Sequence, residues 1–301
     1  MPAEAGTHPH RLHHPVKSDL NNVTVCAADC ATPALAARAL RISTALCGFG
    51  DAILFSDTPV PSSVFRHVAI APLRSRDDYS RFVLRDLAQH IHTSHVLVIQ
   101  WDGYVVEPRA WRPEFLQYDW IGARWPFYRD GMAVGNGGFS LRSRRLLEIT
   151  ASPAFALVPG ANEDELVCRT SRPALVRDFG IRFAPDEVAD RFAYEHAAPG
   201  APTFGFHALF NMWRHVEDAE MTALATCLTD HMVRSTAFAQ LLASYLQVRR
   251  FGPLVALYGR WREVCSVDEM RSQIRSAGGS AEFTESFLGS CAAAAASLAP
   301  A

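Results

Sequence analysis

Three short apolar runs of buried-strand type, Val23 to Ala28, Asp51 to Asp57 and His95 to Trp101, are separated by segments of helical period. A run that is apolar on both sides of the pleat belongs in a sheet covered on both faces. Thr32-Pro33 reads as a helix start, with Thr at the N-cap and Pro at the first helical position. Leu35, Ala39, Leu40 and Leu46 continue it, and Gly48 and Gly50 are expected to end it. Strand, helix, strand in this order predicts a parallel pair joined by a crossover. Val68-Ala69-Ile70 is expected as a further strand, and Tyr79, Phe82, Val83, Leu87 and Ile91 as an amphipathic helix. The run from His95 stops at Asp102-Gly103, which puts Asp102 at a carboxyl edge, where open α/β sheets bind ligands.

Beyond residue 103 the rhythm changes. Residues 118–125 and 137–142 look like strand and turn material of an α+β half. From residue 214 the chain reads as helical. Phe238, Leu241, Leu242, Tyr245 and Leu246 make one stripe. Leu254, Leu257, Tyr258 and Trp261 make another after a break at Gly252-Pro253, and Ser266-Val267-Asp268-Glu269 is a capping-box pattern. The expected division is a disordered tail at 1–20, an α/β domain at 21–213, a helical region at 214–291 and a low-complexity tail at 292–301.

The 301 residues are 49% hydrophobic and carry a formal charge of −2, so a core is available and no basic field points to nucleic acid. Seven cysteines without paired spacing argue against a zinc site or a disulfide framework and for a reduced compartment. The polar N-terminus, with His8, His10, His13 and His14, lacks a signal-peptide core, and no run reaches roughly 18 apolar residues. A cytoplasmic protein without a transmembrane segment is expected.

Four segments carry candidate chemistry. Asp102, in Gln100-Trp101-Asp102-Gly103-Tyr104, is a carboxylate at a strand end, able to hold a divalent ion on a diphosphate or simply to close a turn. Gly135-Asn136-Gly137-Gly138 lets backbone amides approach a ligand, or forms a hairpin turn. Asn162-Glu163-Asp164-Glu165 is a general-base candidate or a solvated helix start. His207, in Phe204-Gly205-Phe206-His207, is a metal or diphosphate ligand or a satisfied core histidine.

The order and spacing of these stretches, with Tyr118-Asp119-Trp120-Ile121-Gly122-Ala123, Gly135 to Arg142, Glu163-Asp164, Phe192-Ala193-Tyr194-Glu195 and Gly205-Phe206-His207, resemble the DUF5672 family of glycosyltransferase-like proteins. The likeness covers most of residues 23–213. The Gly-Asn-Gly-Gly-Phe-Ser-Leu-Arg run is its most specific part, and the C-terminal helices lie outside it. The resemblance implies a GT-A-like fold: a mixed, mainly parallel sheet flanked by helices, with the helical region as an extension. It implies Mn2+ or Mg2+ on the donor diphosphate, held by Asp102 with His207. The sequence departs from an Asp-x-Asp pattern, because Gln100 stands where the first acid would be. Glu163-Asp164 matches an acidic pair that supplies the base.

The implied function is transfer of a sugar from a nucleotide-diphosphate donor to a glycan or other hydroxyl acceptor, as in polysaccharide biosynthesis. Asp164 is the expected base and Glu163 orients the acceptor. A single displacement of this kind inverts the anomeric centre. Asp57, Ala27, Ala28, Gln100, Gly137, Gly138 and Arg142 are expected on the donor. Two other readings stand beside it. One is a nucleotidyltransferase, though residues 27–33 offer no Lys or Arg. The other is a non-catalytic carbohydrate-binding or scaffolding protein, with Trp111, Trp120 and Trp125 stacking on sugars. The C-terminal helices are expected to pack on the α/β domain, with peripheral membrane contact or homodimerisation as alternatives.

Overall fold

The computed structural model describes residues 18–298, so His8, His10, His13 and His14 lie outside the described residues. The elements of the first half are β1 (Ser18–Ala28), α1 (Pro33–Leu46), β2 (Cys47–Ser56), β3 (Arg66–Ala69), α2 (Arg76–Arg81), β4 (His95–Ile99), β5 (Trp120–Ile121) and β6 (Phe139–Ser143). They form a six-stranded sheet in the order β3-β2-β1-β4-β6-β5. β3, β2, β1 and β4 run parallel, and β6 is antiparallel to both β4 and β5. The sheet is therefore mixed and mainly parallel, as expected. The chain winds outward from β1 through β2 to β3 and then crosses to β4 on the other side of β1. That reversal opens a crevice at the carboxyl ends of β1 and β4.

Alternation along the strands divides the core. Cys26, Ile53, Phe55, Val96 and Val98 face Phe82, Val83, Leu87 and Ile91 on one side. Val25, Ala27, Leu54, Leu97 and Ile99 face Leu35, Ala36, Ala39 and Leu40 of α1 on the other. The helix expected over 79–91 is α2 continued by a π turn, Phe82–Asp86, and a 3-10 turn, Leu87–His90.

Several boundaries differ from expectation. β1 begins at Ser18, inside the predicted tail, because it pairs with β2 from its first residue, Ser18 to Cys47. Gly48 and Gly50 lie within β2 instead of ending α1. A Cβ at Gly50 would come within 2.2 Å of the Asn21 carbonyl oxygen, where the β1–β2 register shifts, so the glycine serves a close strand contact. Thr32 does not cap α1 with its hydroxyl. That group donates to Asp29 Oδ2 at 3.0 Å, and Asp29 Oδ1 accepts from the Ala31 and Thr32 amides. Of residues 118–125 only Trp120–Ile121 is strand.

The second half contains α3 (Arg144–Ala151), α4 (Glu163–Glu165), α5 (Arg172–Phe179), α6 (Asp186–Phe192), β7 (Ala193–Tyr194), β8 (Gly205–Phe206), α7 (Asp218–Leu224), α8 (Asp230–Val233), α9 (Thr236–Gln247), α10 (Phe251–Val264), α11 (Val267–Ser276) and α12 (Ala281–Leu298). β7 and β8 pair in parallel as a second, two-stranded sheet. Gly252-Pro253 lies inside the first turn of α10, where a missing amide costs nothing, and the chain turns at Arg249, φ 58°. The Ser266–Glu269 capping box forms as read. The alanine run expected as a low-complexity tail continues α12 to Leu298, with Cys291 buried. Phe238, Leu241, Leu242, Tyr245, Leu254, Leu257 and Trp261 are buried in a core continuous with that of the α/β half. Among the described residues no helix is long and apolar enough to cross a membrane.

Candidate functional site

β7 and β8 build the first half of the site. Their pairing sets Tyr194 opposite Phe206, and the His207 amide donates to the Tyr194 carbonyl at 3.0 Å. Val105 bridges to Gly205, which brings the same segment beside the end of β4. Asn211 ties the arrangement together by donating to the carbonyls of Glu195 and His207, each at 2.8 Å. Gln100, Asp102 and Glu195 are thus held around the imidazole of His207, about a hundred residues beyond the first two.

His207 Nδ1 lies 2.9 Å from Glu195 Oε1. Nε2 lies 3.1 Å from Gln100 Oε1 and 3.6 Å from Asp102 Oδ1. Burial alone would strip the ring of its proton, but Asp102 and Glu195 outweigh it and raise its pKa to about 9. Asp164 acts in the same direction. Burial raises the Asp102 pKa against the pull of His207. Burial would also raise Glu195, but His207 reverses the sign and leaves it low. Gln100 explains itself here: an acid in its place would add a negative charge to a ring already flanked by two. Its Nε2 donates to Tyr79 Oη at 3.3 Å, which extends the line across the cavity floor.

The glycine loop packs directly against His207. Ile99 pairs with Phe139, so Gly137 and Gly138 lie just beyond, alongside Gln100. A Cβ on Gly138 would fall 2.0 Å from His207 Nε2. Asn136, at φ 47°, turns the chain there, accepts from the Phe139 amide through Oδ1, and presents Nδ2 to His207 and Glu195. The Gly137 amide donates to Asp164 Oδ2 at 2.9 Å, which fastens α4 to the loop.

Two cavities open at this edge. One, of about 380 Å³, is lined by Asn136, Gly137, Gly138, Glu163, Asp164, Glu195 and His207, with Trp125, Phe127, Tyr128 and His196 toward its mouth. The other, of about 360 Å³, lies at the ends of β1 and β4 and is lined by Ala27, Ala28, Cys30, Ile99 and Trp101. Arg76, Tyr79 and Gln100 line both. Arg76 is exposed, and its guanidinium makes no hydrogen bond or ion pair among the described residues.

Some expected residues lie elsewhere. Arg142 lines neither cavity. It is 1% exposed, stacks 4.2 Å from the Trp120 ring, and bonds Glu163, Ser140 and the Gly137 carbonyl. It braces the loop from behind because its strand position, opposite Val96, points into the core. Glu163 lines the cavity but turns Oε1 onto Arg142 at 3.0 Å, and burial raises its pKa. Asp102 lines neither cavity: its Oδ2 accepts from the Leu209 amide at 2.9 Å, while its buried Oδ1 has no hydrogen-bond partner. Asp57 is exposed beyond β2 and lines neither cavity, though it lies near Cys30, which lines the second. Trp120 is buried, and Trp111 packs edge-on against Phe115 and Phe204, so neither presents a face to a sugar. Among the described residues no group of three or more His, Cys, Asp and Glu is arranged to hold a metal ion.

The model of the family described as "Protein of unknown function (DUF5672)" matches residues 63–207. Residues 63–207 belong to the DUF5672 family. The matched DUF5672 segment starts before β3 and ends at His207, so β1, α1 and β2 lie outside it, unlike the longer likeness expected. No curated protein matches the sequence. Among solved structures the chain is similar to the mannosyltransferase PcManGT from Pyrobaculum calidifontis in complex with GDP-Man and Mn2+, at 12% identity over 91% of this chain and 80% of that one, TM-score 0.39. It is also similar to an active-site mutant of LgtC, at 15% identity over 70% of this chain and 96% of that one, TM-score 0.39.

Beneath the DUF5672 site, Tyr194 Oη lies 2.6 Å from His215 Nε2, and burial lowers the His215 pKa from 6.5 to about 4. The unfolded chain therefore binds the extra proton between those values. This contribution to stability is present above pH 6.5 and is lost as pH falls through about 4. A His215→Gln variant, whose amide oxygen can accept from Tyr194, should lose less Tm than wild type between pH 7 and pH 4.5. Parallel melting curves for the two proteins would refute this.

Proposed function

We propose that this chain transfers a sugar from a nucleoside-diphosphate donor to an acceptor hydroxyl, with inversion at the anomeric carbon. One observation carries the reading: two cavities at the carboxyl edge meet at Arg76, Tyr79 and Gln100. A nucleotide-sugar has the same three-part form, a nucleoside and a sugar joined by a diphosphate. The nucleoside would lie at the ends of β1 and β4, over Ala27 and Ala28, with Asp57 nearby. The sugar would lie over Gly137 and Gly138, and the diphosphate between them, against the unpaired Arg76 guanidinium.

Charge builds on the leaving diphosphate as the anomeric C–O bond breaks, so donors fixed at that point favour the transition state. Arg76 and the His207 side of the cavity meet that need. Two side chains at and behind the cavity wall have the chemistry of divalent-ion ligands. Asp102 Oδ1 lacks a partner, His207 Nε2 lies 3.6 Å away, and Glu195 on Nδ1 is the support a ligating histidine uses. Mg2+ commonly takes only one or two protein ligands beside phosphates. Of the two, His207 lines the cavity and Asp102 does not; with Asp102 turned toward the diphosphate the pair would hold Mn2+ or Mg2+, which when bound supplies Lewis-acid stabilisation there. Asp164, on the far wall, takes the proton of the attacking hydroxyl. An acceptor ring entering over Phe127, which is 60% exposed at the mouth, would meet an aromatic face suited to its C–H groups.

The test is turnover of a panel of nucleotide-sugars, with Mn2+ and with EDTA. Release of nucleoside diphosphate supports the enzyme, whereas glycan binding without nucleotide affinity would replace it with a binding module. Equal turnover in EDTA would remove the ion from the reading. Arg76→Ala should weaken nucleoside-diphosphate affinity about tenfold or more, the loss of a charge-assisted contact of about 1.5–3 kcal/mol. Its Tm should not change, because nothing in the fold depends on the guanidinium. Unaltered affinity in that variant would place the diphosphate elsewhere.

A further inference from the structure

We propose that α8, the four-residue helix Asp230–Val233 of the C-terminal helical region, forms the outer wall of the nucleoside cavity and selects the nucleobase. This rests on the donor reading above. Met232 and His231 line the cavity at the ends of β1 and β4, opposite Ala27, Ala28 and Ala31. They come from about two hundred residues further along the chain and lie beyond the matched family segment, which ends at residue 207.

Beside Cys30, Ser75 and Trp101, much of the rest of that wall has little power to discriminate. Ala27, Ala28, Ala31 and Ala36 offer methyl groups and backbone. The Asp29 carboxylate is taken up by its own loop, accepting from Ala31, Thr32 and the Thr32 hydroxyl. The Thr32 hydroxyl is thereby occupied as well. Met232 and His231 are different. Met232 is half-buried, and its thioether is polarisable and shapes itself to the face of an aromatic ring. His231 is exposed, and its ring makes no hydrogen bond among the described residues, so its nitrogens are open to the polar edge of a base.

The wall is pinned, as a selective surface must be. The Met232 amide donates to the Thr229 hydroxyl at 3.3 Å, and the Met232 carbonyl accepts from the Ser235 hydroxyl at 2.6 Å. Val233 is fully buried, and its carbonyl accepts from Gln273 Nε2 at 3.0 Å. Gln273 is held in turn by Trp261 Nε1 at 2.7 Å. Asp230 is fixed by Arg260 of α10 at 2.6 Å. α10 and α11 therefore position a surface of the nucleoside cavity, and a surface ordered before binding gives selectivity without an ordering cost.

The experiment measures affinities of UDP, GDP, ADP, CDP and inorganic pyrophosphate for the full chain by calorimetry. It compares wild type with Met232→Ala, Met232→Trp and His231→Ala, each checked by its melting temperature. Wild type is expected to rank the four nucleotides over about tenfold or more. Met232→Trp, which fills the cavity, should weaken all four about tenfold and leave pyrophosphate unchanged. Met232→Ala and His231→Ala should compress the ranking to within about threefold. If wild type binds pyrophosphate but no nucleotide, or binds none of the five, the donor reading fails and this inference with it; if it binds the four nucleotides equally, only selection by α8 fails. If wild type ranks the nucleotides and the folded variants keep the same order and affinities, α8 has no part in selection while the donor reading stands. Should Met232→Trp not fold, Met232→Ala and exposed His231→Ala decide the matter.

Discussion

Replacing Asp164 by Asn should lower sugar transfer about 10²–10⁴-fold, the usual contribution of a positioned general base. Nucleotide affinity and melting temperature should hardly move. The amide keeps an oxygen able to accept from the Gly137 amide, the contact that joins α4 to the glycine loop. The substitution therefore removes basicity while sparing the wall. Steady-state kinetics with saturating donor would show the loss in kcat, with little change in donor KM. If Asp164→Asn transfers sugar at the wild-type rate, the proton goes to another group. Glu163 is a poor substitute, since its carboxylate is committed to Arg142.

The Arg142–Glu163 pair yields the second large effect, on stability. Both side chains are nearly inaccessible, at 1% and 7%. Removing one partner strands a charge in the core, and such breaks cost about 3–5 kcal/mol. Glu163→Leu and Arg142→Met should each lower stability by that amount in urea melts. The double variant should recover most of it, because two apolar groups of similar volume leave no charge unpaired. It should nevertheless transfer sugar poorly, since the Gly137 carbonyl loses the guanidinium that holds it at 3.2 Å. Single variants that cost less than about 1 kcal/mol would show the pair to be solvated.

The same pair shows why the site is only partly legible in the sequence. Arg142 sits in a run whose glycines signal close approach to a ligand, and a cation there suggests a phosphate. Its pairing with Val96 and its stacking on Trp120 turn it inward. Charge alone does not reveal which side of a strand a residue faces when both sides are buried. Glu195 escapes a sequence reading for a related reason: its role depends on His207 lying next to it across the β7–β8 pair, a contact twelve residues apart in the chain. The acid in Phe192-Ala193-Tyr194-Glu195, set against aromatics, is the available signal. Tyr79 reads as the start of an amphipathic helix, Arg76 carries no signal of its own, and nothing local tells that this turn faces the cleft.

What the amino-acid order determined unaided was local. Periods of apolar residues specify β1, the body of β2, β4 and the C-terminal helices, since burying such stripes is the main favourable term in folding. Asp102 at a strand end, the glycines before β6 and the Ser266–Glu269 cap follow from stereochemistry within a few residues. Tertiary structure alone decided which of the flagged groups meet. The sheet order set β1 beside β4 and opened the crevice. The β7–β8 pairing set Glu195 against His207, the Val105–Gly205 bridge brought Asp102 beside it, and α8 came to the cavity at the ends of β1 and β4 from a part of the chain whose own pattern reads only as packing. Those contacts depend on long-range register, which no local spacing encodes.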